Sequence, residues 1–134
     1  TTSDSNWSIH HAYMTFLLHD GRLLRACTDW QLRPNGTDPL AVNEHTDKEW
    51  DQRVLTTLSS LSDELRPLCQ ELGGHFVRFR GYDARFAAAL ARVEQGEHSW
   101  VARPRVDSCH TVWMELHEDL VATLGIRRGV EPDH

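Results

Sequence analysis

The sequence predicts an α+β domain, and three observations carry the prediction. Segments 7–18, 75–80 and 109–116 alternate apolar and polar residues with the period of two that puts successive side chains on opposite faces of a strand. Segment 46–72 instead keeps helical spacing, and an alanine-rich stretch from Tyr82 to Glu94 does the same. Glycine and proline clusters fall between these segments, where turns belong.

Taken in order, Trp7 to Leu18 reads as a strand, His19-Asp20-Gly21 as an Asp-Gly turn, and Arg22 to Leu32 as the returning strand of a hairpin. Pro34-Asn35-Gly36-Thr37-Asp38-Pro39 marks a loop over 33–45. Thr46 closes it, with Glu49 three residues later as a capping box. Trp50, Val54, Leu55, Leu58 and Leu61 then share one helical stripe; Ser62-Asp63 or Pro67 breaks or restarts the helix before Gly73-Gly74 ends it, giving one kinked helix or two short ones. His75 to Arg80 is a short strand. Tyr82 to Glu94 is a helix burying Phe86, Leu90 and Val93, stopped by Gly96. Ser99 to Arg103 and Cys109 to Leu116 are two further strands around a Pro104–Ser108 turn, and Glu118 to Leu124 is a last helical turn or two before Gly125.

A chain of 134 residues, 40% hydrophobic and with five tryptophans, holds enough apolar material for one core, so residues 1–134 are expected as a single domain with flexible ends at 1–6 and 127–134. The formal charge of -6 offers no footprint for phosphate backbones or anionic lipid, which argues against nucleic acid and membrane surfaces as partners. No apolar run approaches the roughly 20 residues of a membrane span, and Thr1-Thr2-Ser3-Asp4-Ser5-Asn6 is not a signal peptide, so a cytoplasmic location is expected. Cys27, Cys69 and Cys109 are odd in number and widely spaced, which suits reduced, buried thiols.

Each of three strand candidates carries one residue able to ligate a metal. Alternation sets Ala12, Met14, Phe16 and Leu18 on one face of the first strand and His11, Tyr13 and Thr15 on the other, favouring His11 over His10. In the last strand Thr111, Trp113, Glu115 and His117 lie opposite Val112, Met114 and Leu116. A carboxylate among such neighbours needs a cation, and a metal or an arginine such as Arg78 or Arg103 could supply it; Arg78, Arg80 and Arg85 could equally form a solvated face. With His75 on the middle strand, His11, His75 and Glu115 would make the two-histidine, one-carboxylate triad that leaves open positions on Fe(II).

The run Gly73-Gly74-His75-Phe76-Val77-Arg78-Phe79, an alanine-rich helix after it and a later strand carrying Glu115 resemble the βαβββ module of the vicinal oxygen chelate superfamily. With the His11-Ala12-Tyr13 segment, the chain is similar to the small single-domain L-DOPA 2,3-dioxygenases, type I extradiol enzymes of antibiotic biosynthesis. The resemblance implies a cupped, mixed or antiparallel sheet with rearranged module order and helices packed on one face. It also implies an oxidoreductase that binds Fe(II) through His11, His75 and Glu115 and cleaves a catechol ring with O2, as a homodimer. On that reading His117, then His110 or Tyr82, shuttles protons; Arg78 and Arg80 grip a substrate carboxylate; and Tyr13 and Trp113 wall the ring. Two alternatives stand beside it: a metal-free α+β enzyme or ligand-binding domain for an acidic substrate, and a small interaction or immunity protein using exposed Trp30 and Trp100 as a dimer or partner surface.

Overall fold

The computed structural model describes residues 2–127 and is helical almost throughout. Helices α1 (Thr2–Gln31), α2 (Lys48–His75), α3 (Tyr82–Glu94) and α4 (Cys109–Arg127) are joined by a 32–47 loop and by two 3-10 turns, Val77–Phe79 and His98–Val101. α1 and α3 each pack between α2 and α4. Pairings such as Arg22 with Ser60 and Ser8 with His75 run α1 antiparallel to α2, and those of Trp113 with Asp20 and His117 with Tyr13 run it antiparallel to α4.

The expected α+β cupped sheet is therefore corrected to a helical bundle; among the described residues the β pairing is a single isolated bridge, Leu32 to Val42. The 7–32 hairpin is one helix, the 75–80 strand is the end of α2 and a 3-10 turn, the 99–103 strand is a 3-10 turn, and the 109–116 strand is the start of α4. The reason is visible in the burial. Ile9, Ala12, Phe16, Leu23, Ala26, Cys27 and Trp30 are buried at helical spacing, whereas Met14 and Leu18, which completed the alternation, are exposed. In α4 the buried set is Val112, Trp113, Leu116, Leu120 and Leu124, again spaced for a helix.

Other expectations hold. The 33–45 loop is a loop, and Tyr82–Glu94 is a helix with Phe86, Leu90 and Val93 buried, entered through Gly81 at φ 102° and left through Gly96 at φ 101°, left-handed positions that favour glycine. The helix after the loop is a single one: Asp47, rather than Thr46, caps it by accepting the Trp50 N–H at 3.1 Å. Pro67 sits inside it on an exposed face, where the carbonyl it leaves unpaired can reach water. All three cysteines are free and buried, and burial pushes the thiols up, Cys27 to about 11 and Cys69 and Cys109 to about 12. No described helix is long and apolar enough to cross a membrane. Of the expected loose ends, Thr2–Asn6 lies in the first turns of α1, and 128–134 lies outside the described residues.

The core is centred on Trp113. Its ring stacks on Phe16 at 4.5 Å and tilts against Phe86 at 6.1 Å, and its Nε1 donates to Asp20 at 2.9 Å. The Asp20-Gly21 pair that reads as a turn is thus mid-helix, with its carboxylate tying α1 to α4.

Candidate functional site

The strongest constellation of polar groups grows from the 32–47 loop. Arg33 N–H donates to the Ala41 carbonyl at 2.8 Å and Asn43 N–H to the Gln31 carbonyl at 2.9 Å, closing the loop like a short hairpin. Inside it the Asn35 side chain accepts from the N–H groups of Thr37 and Asp38 at 2.9 and 2.8 Å, and Asp38 accepts from Leu40 N–H at 2.9 Å. Asparagine and aspartate fold the chain onto themselves in this way wherever a backbone turn lacks other partners. Arg33 then pairs with Asp47, which its guanidinium holds below the usual carboxylate range, so the loop is fastened to the cap of α2.

The clamped loop delivers Asn43 and His45 to the first turn of α2. Asn43 is buried; its Nδ2 donates to the Trp30 carbonyl and to Asp51 Oδ1, both at 2.9 Å, and its Oδ1 accepts from His45 N–H at 3.0 Å. His45 is held at φ 60°, a left-handed conformation that costs a non-glycine residue on the order of 1–3 kcal/mol and persists only where surrounding bonds over-determine it. Its Nδ1 lies 2.8 Å from Asp51 Oδ2, with only 17% and 14% of the two side chains exposed. A carboxylate on Nδ1 favours the proton there and leaves Nε2 as the acceptor. The imidazole packs against both the Trp30 ring at 4.4 Å and the His98 ring at 4.1 Å, which also meet each other edge-on at 5.5 Å. Trp30 in turn donates its Nε1 to the His98 carbonyl at 2.8 Å, joining the loop to the 3-10 turn before α4. These residues line a pocket of about 510 Å³ with Ser99, Ala102 and Arg103 at its other side. Among the described residues the Arg103 side chain has no ion pair or hydrogen bond.

The residues singled out in the sequence lie elsewhere, in three groups. Tyr82, His110 and Glu115 line one surface groove between α3 and α4. There Tyr82 donates to Asp119, its hydroxyl pushed up first by burial and then by that carboxylate, and Glu115 is ion-paired with Arg85, which also holds Asp107 at 2.8 Å. The cation beside Glu115 is an arginine, Arg85 rather than Arg78 or Arg103. Tyr13, Trp113 and His117 meet in the α1–α4 interface: His117 stacks on Phe16 at 5.6 Å and Tyr13 at 6.4 Å, and its Nδ1 is buried without a hydrogen-bond partner. His11 and His75 lie towards the start of α1, His11 stacked on Trp7 at 4.7 Å and His75 bonded to Ser5 and Ser8 at 3.0 and 3.2 Å.

This arrangement does not fit Fe(II). Glu115 follows Trp113 by two residues, which turns it roughly 200° away from the core face of α4, whereas His11 and His75 are beside α1. Among the described residues no group of three or more His, Cys, Asp or Glu side chains is placed to hold a metal ion. Arg78 donates to Thr123 and Arg80 Nε to the Gly73 carbonyl at 2.9 Å, so both fasten the 76–80 turn to the bundle rather than face a shared pocket. Trp30, expected as an exposed surface, is 4% exposed, and Trp100 is half-buried under Arg92 at 4.2 Å.

Another groove, between α1 and α2, is lined by Arg22, Arg25 and Arg53, but each guanidinium already has a partner in Ser60, Asp29 and the Trp50 ring respectively. The His45 site was missed because its parts are scattered over 30, 43, 45, 51, 98 and 103; the one sequence signal was the Asn43-x-His45 ending of a loop just before a capped, acidic first helical turn. No family model, no curated protein and no solved structure matches the chain.

Proposed function

We propose that the chain is a ligand-binding protein whose pocket takes a small, planar, acidic molecule, with His45 as the proton acceptor facing it. One observation carries the reading: a histidine in a strained left-handed conformation, fixed by Asp51 and Asn43 and packed in a cluster with two aromatic rings at the wall of a pocket. Strained backbone of this kind concentrates where a side chain must be aimed. The exposed His98 ring offers an aromatic face to a flat ligand while the buried Trp30 backs His45, and Arg103 offers a bidentate donor to its carboxylate. About 510 Å³ is within the range of small-molecule sites.

Benzoate is the plain member of this ligand class and the first probe; L-DOPA, which shares the ring and carboxylate but adds an ammonium group and a flexible side chain, is the second. With the sheet replaced by a helical bundle and Glu115 engaged by Arg85, the iron-dependent ring cleavage has no support from the fold or from the ligand set. The test is a titration of the protein with each probe, followed through the indole N–H of Trp30 and the ring nitrogens of His45. Saturable shifts at both are expected. Arg103→Ala should weaken binding about tenfold, the worth of one charge-assisted contact. His45→Asn, which tolerates a left-handed backbone, should leave the fold intact and remove the proton-linked part of binding. No shift with any aromatic carboxylate, or shifts confined to Trp100, would overturn the assignment.

A further inference from the structure

The outer face of α1 carries a second apolar seam that the bundle does not use. Ile9, Ala12, Phe16, Leu23, Ala26 and Trp30 fill the core side. Trp7, His11, Met14, Leu18, Gly21 and Arg25 follow one another at alternating spacings of four and three, the repeat that keeps a stripe facing another helix; the stripe starts on the side away from the core and ends, at Gly21 and Arg25, on the rim of the α1–α2 groove. Trp7 is 61%, Met14 51% and Leu18 78% exposed, with Leu17 and Leu24 exposed along one flank. Together these side chains present on the order of 600 Å² of contiguous apolar surface, at the top of what a lone domain leaves in water. A standard interface needs about 800 Å² per partner, which the flanking His10, His11 and Arg25 bring within reach.

Gly21 is an independent observation. It lies in the middle of a 30-residue helix, where glycine weakens the helix relative to alanine, and a methyl group added there would meet nothing within 4 Å inside the chain. Nothing within one copy calls for a glycine, whereas a second helix passing close to the seam would.

We infer that two copies of this chain associate through α1, packed antiparallel about a two-fold axis between Met14 and Leu18. That register places Met14 against the second copy's Leu18, His11 over its Gly21, and Trp7 against its Arg25, a large group meeting a small one or a cation meeting an indole face in each layer. It also sets the helix dipoles antiparallel, whereas parallel packing would oppose Arg22 to Arg22 and Arg25 to Arg25.

Sedimentation of the full chain across micromolar concentrations tests this directly, with a two-chain mass expected. Leu18→Glu should weaken association by at least about tenfold with helicity unchanged. Gly21→Ala should raise the thermal midpoint of the dilute single chain while weakening association, because the methyl fills the space that His11 of the other copy enters. Mild oxidation fixes the direction. In a mixture of Met14→Cys and Leu18→Cys chains the two variants share a layer and should cross-link to each other, whereas Trp7→Cys lies about 27 Å along the axis from its own counterpart and should not cross-link to itself. The native thiols stay out of this reaction, being buried and pushed up to about 11 and about 12. A single-chain mass throughout, a Gly21→Ala chain that associates as tightly as the parent, or cross-linking of Trp7→Cys to itself in place of Met14→Cys to Leu18→Cys would each overturn the inference.

Discussion

Two regions of the bundle bring histidines and carboxylates together, and they settle the carboxylates differently. In the α3–α4 groove, Arg85 bridges Asp107 and Glu115, side chains that are 52% and 49% exposed. The charge is neutralised by a full cation in water, an arrangement worth at most about 1 kcal/mol per pair. At the loop site, Asp51 is 14% exposed, and its partners are the Asn43 amide and the His45 ring. The Asn43 amide and the His45 ring satisfy the carboxylate without engaging Arg103, which is left for a ligand. The groove is thus read as surface electrostatics and the loop as a built site.

The largest test of this contrast concerns what holds the frame itself. Trp113 joins α1, α3 and α4, so Trp113→Ala should cost about 3–5 kcal/mol in chemical denaturation, with the loop site lost only as the whole chain unfolds. A cost under about 1 kcal/mol would mean that α1 and α4 do not pack through this ring. Next comes the direct comparison of carboxylates. Asp51→Asn leaves a buried donor facing the donors of Asn43 and His45 and should cost about 1–3 kcal/mol. Glu115→Gln should cost less than about 1 kcal/mol. The reverse order of the two would dissolve the distinction between site and surface.

How far the sequence anticipated these regions depended on whether its periodic signal had one physical source. The helix from Trp50 onward and the Tyr82–Glu94 helix were legible because each has one apolar stripe and a polar remainder. α1 was not: its core residues Ala12 and Phe16 interleave with the exposed Met14 and Leu18, and two helical faces superposed give the alternation of a strand. The same happens in α4, where Val112 and Leu116 are buried and Met114 lines the surface groove. Asp20-Gly21 looked like a turn because the demand on Asp20 comes from Trp113, 93 residues away. Glu115 read as a carboxylate in need of compensation only because a strand would have buried it; on α4 it is half exposed, and its pairing with Arg85 is a matter of which helices pack together. Tyr82, His110 and Glu115 were singled out for separate reasons and do share a groove, yet the His45 pocket, assembled from four segments, left almost no local trace.

The smallest expected effect compares the two regions through their arginines. Arg33 holds Asp47 below the ordinary carboxylate range and Arg85 does the same for Asp107, in both cases chiefly by donating hydrogen bonds to the ionised form. A carboxyl whose folded value is depressed contributes stability that is present above the unfolded value, near 3.9, and that is lost as pH falls through the lower folded value. Both pairs should therefore be silent near neutrality and weaken together below about pH 4. They should differ in consequence. Asp47 is also the cap of α2, accepting from Trp50 N–H at 3.1 Å, so its protonation should loosen the first turn that carries Asp51 and with it the His45 site. Protonation of Asp107 should stay local to the α3–α4 surface. A carboxyl-detected titration with amide exchange across residues 47–51 and 107–115 reads both events. Equal loosening at the two places would show that the loop is no better built than the groove.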